Sequence, residues 1–532
     1  MTTLFSLGAI IGPNELLTSS ALIARCVDRG FKAAHARQLV RRGAMRNGIW
    51  RSEKLSLPGN GRLFAHQQFR GNAGFMAQLL PMLSEYRPGL FRVAKKLEQD
   101  DVLIKPHARL LLATPNDPQK TSYPSYEEEL GTLEELNICR VEARGAGAER
   151  LASHRVAGTP MSSAAALAAR TRLQIEEALA GILTDHFRFQ NFVSWNPFPA
   201  QEPREQLFPF NNYLFTAVTF TWLSPLIRWE DTKRKPMPVI FHVTSGKCTR
   251  WDVDAFLTRI ERAGANKTSK LRALGVVAAR YFEREAWKKA QEAGLMTINL
   301  HQLFGEEAFE VIVKVQELLK NVAGDPDRAR PEEYQALSKT LESLATNPFI
   351  TDLKSLAFEC VSAFLIKHEG WEEVSLNLKV PFSLPEGATE REVDVSGQKS
   401  GWDEVCVIEC KAEHQNKPLD EQFVRKFFTQ TVPAFLKAKC PIRNPSHCRA
   451  EIWTTGVVSE AAKNVLDGLK LKKFIQPALV GRDQLIANLP KTLQPISRLI
   501  QTISQTGANI EGLDSSQTTI QPISDSGNLI QG

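Results

Sequence analysis

Asp394, Glu409 and Lys411 are the residues of this chain whose types and spacing could do chemistry together. Asp394 sits in Arg391-Glu392-Val393-Asp394-Val395, and Glu409-Cys410-Lys411 ends the run Val405-Cys406-Val407-Ile408. Both stretches are rich in β-branched residues and read as strands, with Ser396 to Gly401 between them as a hairpin loop. Side chains two apart on a strand share a face, so Glu409 and Lys411 point the same way. If Asp394 faces that side too, two carboxylates and an ammonium converge on one small volume. Uncompensated like charges are costly there, so a divalent cation is the expected third party. Such a cation acidifies and positions a bound water, which is the chemistry of metal-assisted phosphodiester hydrolysis. The competing reading is an inert ion pair on a solvated sheet edge. The apolar run before Glu409 argues instead for a central strand and a semi-buried pair, and buried charges usually have a partner or a task.

These residues need elements to hold them. Leu353 to Lys367 reads as an amphipathic helix that contains Glu359. Val374 to Val380 alternates as a strand, and the Asp394 and Glu409 strands follow. Leu419 to Phe428 is a further helix, Ala450 to Thr455 a strand, and Ser459 to Leu466 a helix. The order is α-β-β-β-α-β.

This order, with Asp394 on one hairpin strand and Glu409-x-Lys411 on the next, resembles the PD-(D/E)xK nuclease superfamily over roughly residues 350 to 485. That superfamily includes restriction endonucleases and many prokaryotic defence effectors. Val393 stands where the family's name has proline, a departure that leaves the carboxylate chemistry intact. The resemblance implies that Asp394 and Glu409 ligate Mg²⁺, with Mn²⁺ expected to substitute. It implies the main-chain carbonyl of Cys410 as a further ligand, and Lys411 against the scissile phosphate, orienting or deprotonating the water. Glu359 matches the extra acid that many members present from the first core helix. Gln422 and Gln430 lie on the following helix, where some relatives place a glutamine.

A second unit, residues 160 to 310, carries a strong helix (Ala164 to Leu183), strands at Asn212 to Thr221 and Pro238 to Cys248, and a helix from Asp252 to Ala263. A strand near 274–278, a helix (Ala286 to Gly294) and a strand (Met296 to Leu300) close it. It resembles the same restriction-endonuclease-like core in degenerate form. His242 and Thr244 stand where the acid and lysine would be, and two neutral residues cannot hold a divalent ion as paired carboxylates do. The resemblance implies an inactive module with a structural or nucleic-acid-binding role; an unrelated α/β domain is the alternative.

Residues 1 to 110 hold 17 Lys and Arg against 7 Asp and Glu, an excess of 10 in a chain of net charge +7. The remaining 422 residues therefore sum to 7 − 10 = −3. A basic module on a near-neutral body points to a polyanionic partner. Helical spacing over residues 15 to 27, a turn at Asp28-Arg29-Gly30-Phe31 and a basic helix from Lys32 to Arg42 form a helix-turn-helix pattern. Alternating segments on either side of Pro58-Gly59-Asn60-Gly61 look like the hairpin of a winged helix. Arg37, Arg41, Arg42, Arg46, Arg51 and Arg62 are the expected phosphate-contacting set, although winged helices also dock protein. Helices follow at Phe75 to Tyr86 and Leu90 to Lys96, then an apolar strand-like run from Ala108 to Ala113.

No run of some 18 apolar residues predicts a membrane span. The N-terminus lacks the basic region of an export signal. Eight scattered cysteines fit a reducing compartment, so a cytoplasmic location is expected. Cys440 with His447 and Cys448 lacks a fourth ligand at zinc spacing. Gly59-Asn60-Gly61 is a turn, and without a Walker motif no ATP requirement is expected.

The expected fold class is thus α/β, with mixed-sheet restriction-endonuclease-like cores flanked by helices and an N-terminal winged helix-turn-helix domain. The expected division is 1–115 winged helix, 116–159 linker, 160–310 degenerate nuclease-like domain, 311–350 helical spacer, 351–490 nuclease domain and 491–532 polar tail. The expected activity is Mg²⁺-dependent DNA endonuclease action in restriction or antiphage defence. The alternatives are a non-catalytic DNA-binding assembly or regulatory protein on a nuclease-like scaffold, or a DNA repair or transposition nuclease. The expected partners are DNA and a second copy or a defence-system protein, with no membrane.

Overall fold

Val405, Cys406, Val407 and Ile408 are all fully buried, and such a continuous apolar run is what a strand covered on both faces requires. The strand is Glu404–Lys411, the centre of a five-stranded sheet whose strands lie in the order in which the chain makes them. Ser375–Leu384, Gly387–Lys399 and Glu404–Lys411 are antiparallel; His447–Thr454 and Ile475–Val480 then add in parallel. The structure, a computed structural model, describes residues 7–42, 48–142, 149–194, 207–223, 228–230, 233–264, 273–305, 309–311, 314, 331–343, 350–372, 374–384, 387–441 and 443–505.

Helix Ile350–His368 covers one face of this sheet, where Ile366 and Trp371 approach Gly397 and Cys406. A Cβ on Gly397 would lie 2.9 Å from the Cys406 Sγ, so only glycine lets these layers close. The other face carries Glu421–Lys426, a π-helical turn at Phe427–Thr431, and Val432–Lys439. Phe427, Phe428 and Phe435 seal it. Pro433 has no N–H to give to the carbonyl four residues back, which removes one α-type bond at the wide turn. The hairpin is tighter than expected. Strand pairing continues to Lys399↔Glu404, and the turn is made by Ser400, Gly401 and Trp402, all at positive φ.

The start of the expected polar tail is a correction; residues 506–532 lie outside the described residues. Gln494–Gln505 is a helix with Ile496, Leu499, Ile500 and Ile503 fully buried. It packs on helix Pro331–Ser343, part of the expected spacer, where the Ser338 and Thr502 hydroxyls meet at 2.6 Å in the buried interface. The isoleucines look isolated among Ser, Thr and Gln but fall at helical spacing. Replacing Ile500 with alanine should cost roughly 2–4 kcal/mol in urea unfolding, and the exposed Gln501→Ala less than about 0.5 kcal/mol.

The strands and helices of this sheet lie within one compact unit, Glu310–Leu318 with Pro326–Gly532; Met1–Phe309 with Leu319–Asp325 forms the other. The expected separation of residues 1–115 from 160–310 is therefore corrected: they share one unit. Phe91 stacks edge-on against Trp251 at 4.9 Å, and Ala255 lies in the same apolar cluster as Leu79, Leu90 and Leu111. Residues 116–159 are not a linker. They hold helix Tyr126–Glu135, capped by Ser125 and Glu128, and two strands: Arg150–Ser153 pairs with Val102–Ile104 on one side and with Cys139–Glu142 on the other. The strand-like run at 108–113 is helix Lys105–Leu112, with Pro106 in its first turn. A short apolar run has no decisive period, and Ala, Leu and Arg favour helix once a proline starts it.

In the same unit, strands Leu16–Thr18, Ile49–Arg51 and Leu63–His66 form a three-stranded sheet beside helices Ser19–Asp28 and Ala33–Arg42. Strands Ala217–Thr221, Met237–Cys248, Leu274–Phe282 and Met296–Asn299 form a mixed four-stranded sheet, the first antiparallel and the rest parallel. Helix Pro160–Phe189 lies against it, as do Arg250–Gly264 and Arg284–Glu292. The protein is thus α/β, with mixed sheets flanked by helices. Among the described residues no helix is long and apolar enough to cross a membrane.

Candidate active site

The pairing of the Asp394 strand with its neighbour runs from Lys399↔Glu404 to Val395↔Ile408 and stops one step short of Asp394. There the Asp394 carboxylate accepts the Cys410 N–H at 2.7 Å. Val393 packs with Val405 and Val407 in one apolar cluster, and Val395 stands opposite Ile408. Where this pairing ends, the Asp394 side chain takes the Cys410 N–H of the central strand.

Glu409 is 9% exposed, and its Oε1 lies 3.1 Å from the Lys411 Nζ. The same ammonium sits 4.2 Å from the centre of the Phe423 ring, on the helix that follows. Burial alone would lower the Lys411 pKa, but Glu409 and then Asp394 outweigh it and hold the pKa above the usual lysine range. In the protein alone Lys411 is therefore an ammonium at neutral pH, suited to hold a phosphate more than to take a proton. The Cys410 thiol is raised well above its ordinary value by burial and then by Asp394, with Glu359 and Glu409 contributing.

Asp394, Glu409 and Lys411 are thus brought together beside Cys410, and Glu359 acts on the Cys410 thiol from helix Ile350–His368. Gln430 instead accepts a hydrogen bond from Arg391 at 2.7 Å, and Gln422 is exposed in the first turn of its helix. Among the described residues no group of three or more His, Cys, Asp and Glu side chains is arranged to hold a metal ion. A magnesium ion asks for less, because it keeps several waters and commonly binds through one or two carboxylates. Asp394, Glu409 and the Cys410 carbonyl are hard oxygen donors of that kind, so the donor set fits. Phe423 beneath the ammonium is the contact that sequence reading missed; its only signal was an aromatic at the start of the helix after Lys411.

The arginine set divides. Arg37, Arg41 and Arg42 are exposed on helix Ala33–Arg42. Arg51 binds the Arg41 carbonyl and Glu53, and Arg62 binds the carbonyls of Glu53 and Leu55. Those two tie the hairpin together. Arg46 lies outside the described residues.

His242 and Thr244 do not stand alone on their strand. Glu176, from helix Pro160–Phe189, accepts from the Thr244 hydroxyl at 3.0 Å and the Ser245 N–H at 3.1 Å, and pairs with His107 at 2.9 Å. The expected absence of a carboxylate on that strand holds, yet one arrives from the preceding helix. Glu176 was legible only as one more acid on a helix, since its partners are remote in sequence. His242 is pulled down to about 4 by burial and then by the Arg259 guanidinium. Its ordinary pKa is near 6.5, so below that pH the unfolded chain binds the proton first. Stability should therefore fall between about pH 6.5 and pH 4, by up to roughly 3 kcal/mol. His242→Leu should flatten that part of the curve when denaturant unfolding is compared across the window.

No protein-family model, curated protein or solved structure matches this chain. What the site can do is therefore argued from its own geometry.

Proposed function

We propose that the C-terminal sheet carries a Mg²⁺-dependent DNA endonuclease of the PD-(D/E)xK kind, working in prokaryotic restriction or another antiviral defence. The observation that carries this reading is the meeting of Asp394, Glu409 and Lys411 where pairing with the central strand ends. The antiparallel–antiparallel–parallel strand order, with a helix on each face, supports it. Asp394, Glu409 and the Cys410 carbonyl would hold the ion, which supplies a water of lowered pKa when bound. Lys411 binds and orients the phosphate, its ammonium steadied by Glu409 and the Phe423 ring. Glu359 adds negative charge on the helix side. The basic N-terminal segment, read as a winged helix on its three-stranded sheet with Leu63–His66 between Leu16–Thr18 and Ile49–Arg51, holds DNA through Arg37, Arg41 and Arg42.

Plasmid DNA incubated with Mg²⁺, or with EDTA, tests the activity. The wild type should cut only with the metal, and Lys411→Ala should not cut. Equal cutting by both, or none by either, sinks the assignment. In the second case the absence of a three-ligand metal group among the described residues favours a DNA-binding assembly protein on a nuclease-like scaffold.

Reversing Arg41 and Arg42 to glutamate should weaken DNA binding and lower the slope of log affinity against log salt by roughly 2, about 0.9 for each lost phosphate contact. Unchanged affinity across salt would remove these residues from the interface.

A further inference from the structure

Between helices Pro88–Asp100, Lys105–Leu112, Pro160–Phe189 and Arg250–Gly264, at the carboxyl end of strand Met237–Cys248, lies a cavity of about 260 Å³. In open α/β sheets ligands bind outside the carboxyl ends of the strands. The volume is just below the roughly 300–1,000 Å³ usual for drug-sized ligands, which suits a small organic molecule.

Three of the four Lys and Arg side chains on its wall have a carboxylate partner. Asp100 pairs with Lys96 at 3.4 Å and with Arg172 at 3.1 Å, and Glu283 pairs with Lys247 at 3.2 Å. The fourth is Arg259, which is 1% exposed. Its Nε donates to the Ala255 carbonyl at 3.3 Å and its Nη1 to the Leu214 carbonyl at 2.9 Å. The ring centres of Phe215 and Phe256 lie 5.3 and 5.6 Å from the guanidinium. Among the described residues no carboxylate stands within ion-pair distance of it. Its Nη2 has no hydrogen-bond partner and, unlike the Nη2 of Arg92, is not sealed from accessible space. Since Arg259 is otherwise buried and lines the cavity, that atom opens on the cavity.

Carbonyls and ring faces carry only partial charge, so the guanidinium is held in place without being neutralised. Burial and then the Arg92 guanidinium pull its pKa down to about 9, and Asp252 offsets only part of that. It is still a cation at pH 7, and it lacks an anion.

The rest of the wall limits which anion. Asp100, Glu176, Asp252 and Glu283 oppose a second negative charge, so a singly charged carboxylate suits the cavity better than a phosphate. Ala255 lies one turn before Arg259 on the same helix face. Leu110 clusters with Leu214, whose carbonyl Arg259 holds. With Leu103 and Leu111 these residues set an apolar wall beside the cation.

We infer that this cavity binds a small organic monocarboxylate, its carboxylate on Arg259 and its apolar body against Leu110, Leu111 and Ala255. The inference is independent of the nuclease reading, because these residues lie in the other compact unit. Asp394→Ala or Lys411→Ala should bind the carboxylate unchanged.

Ligand-observed NMR titration of the full chain with benzoate or isovalerate tests it, with benzamide as the uncharged counterpart of benzoate. At least one of the two carboxylates should bind, and benzoate, if it is that one, about tenfold tighter than benzamide. Arg259→Gln should weaken carboxylate binding about 10- to 100-fold and leave benzamide unchanged. Should that variant fold poorly, amide exchange of the wild type locates the site: the bound carboxylate should raise protection in helices Lys105–Leu112 and Arg250–Gly264, and not in strand Glu404–Lys411. The inference is overturned if neither carboxylate binds, if benzamide binds as well as benzoate, or if folded Arg259→Gln keeps the wild-type affinity. Displacement of the carboxylate by an equal concentration of inorganic phosphate, or protection gained elsewhere in the chain, would overturn it too.

Discussion

Replacing Asp394 with alanine is expected to lower Mg²⁺-dependent cleavage of plasmid DNA by roughly two to four orders of magnitude, the range seen when a group positioned on the reacting atoms is lost. The substitution also strips the Cys410 N–H of the acceptor it holds at 2.7 Å. A buried donor left unpaired costs about 1–3 kcal/mol, so Asp394→Ala alone would confuse lost chemistry with lost structure. Asp394→Asn separates them. Its amide oxygen can still take the Cys410 N–H, so the unfolding midpoint should stay close to that of the wild type. It removes the charge that a divalent cation needs, so cleavage should fall nearly as far as in the alanine variant. Cleavage by Asp394→Asn at the wild-type rate would show that the carboxylate serves the backbone and not the phosphate. The Lys411 pKa gives a second handle, because Asp394 is one of the two carboxylates that raise it. In either variant that pKa should move down, which titration of the lysine by NMR in the absence of metal would read.

The other large effect is expected in the other compact unit. Glu176 is 4% exposed and is shared by His107, Thr244 and the Ser245 backbone. Burial alone would raise its pKa, but His107 and then Arg172 hold it below the usual carboxylate range. Glu176→Ala leaves several buried polar groups without a partner in one step. The cost expected for breaking such a pair is about 3–5 kcal/mol. Because the chain has two compact units, a single unfolding midpoint would blur the effect. Amide exchange resolves it: protection should fall in strand Met237–Cys248 and helix Lys105–Leu112, and stay unchanged in strand Glu404–Lys411. Glu176→Gln keeps an acceptor for Thr244 and Ser245, so it should lose markedly less. Equal protection in wild type and alanine variant would mean that water replaces the carboxylate at no cost.

Both expectations rest on contacts whose sequence legibility differs. The strand Glu404–Lys411 was readable because burial on two faces leaves an uninterrupted apolar run, and the helix before it because its apolar residues recur at helical period. The pairing of Glu409 with Lys411 follows from strand periodicity alone. Helix Gln494–Gln505 was misread because its apolar face is narrow and its partner helix, Pro331–Ser343, is remote in sequence. Helix Lys105–Leu112 was misread because five or six apolar residues carry no period that separates strand from helix. The linker at 116–159 was misread because prolines at 115, 118 and 124 mark a break. They cannot show that strand Arg150–Ser153 beyond them returns to pair with Val102–Ile104.

The sequence by itself determined which residues could do chemistry at the central sheet and the order of the elements that carry them. Residue type, period-two alternation and helical spacing are local properties, and they are written into neighbouring positions. Only the tertiary structure decided that Asp394 hands its carboxylate to the Cys410 N–H, and that Phe423 underlies Lys411. It alone decided that Arg51 and Arg62 bind their own hairpin, and that Glu176 reaches the strand of His242. Each of these joins residues through packing and hydrogen bonds that close only when distant segments meet. The energy that fixes them depends on burial, and burial is a property of the folded chain.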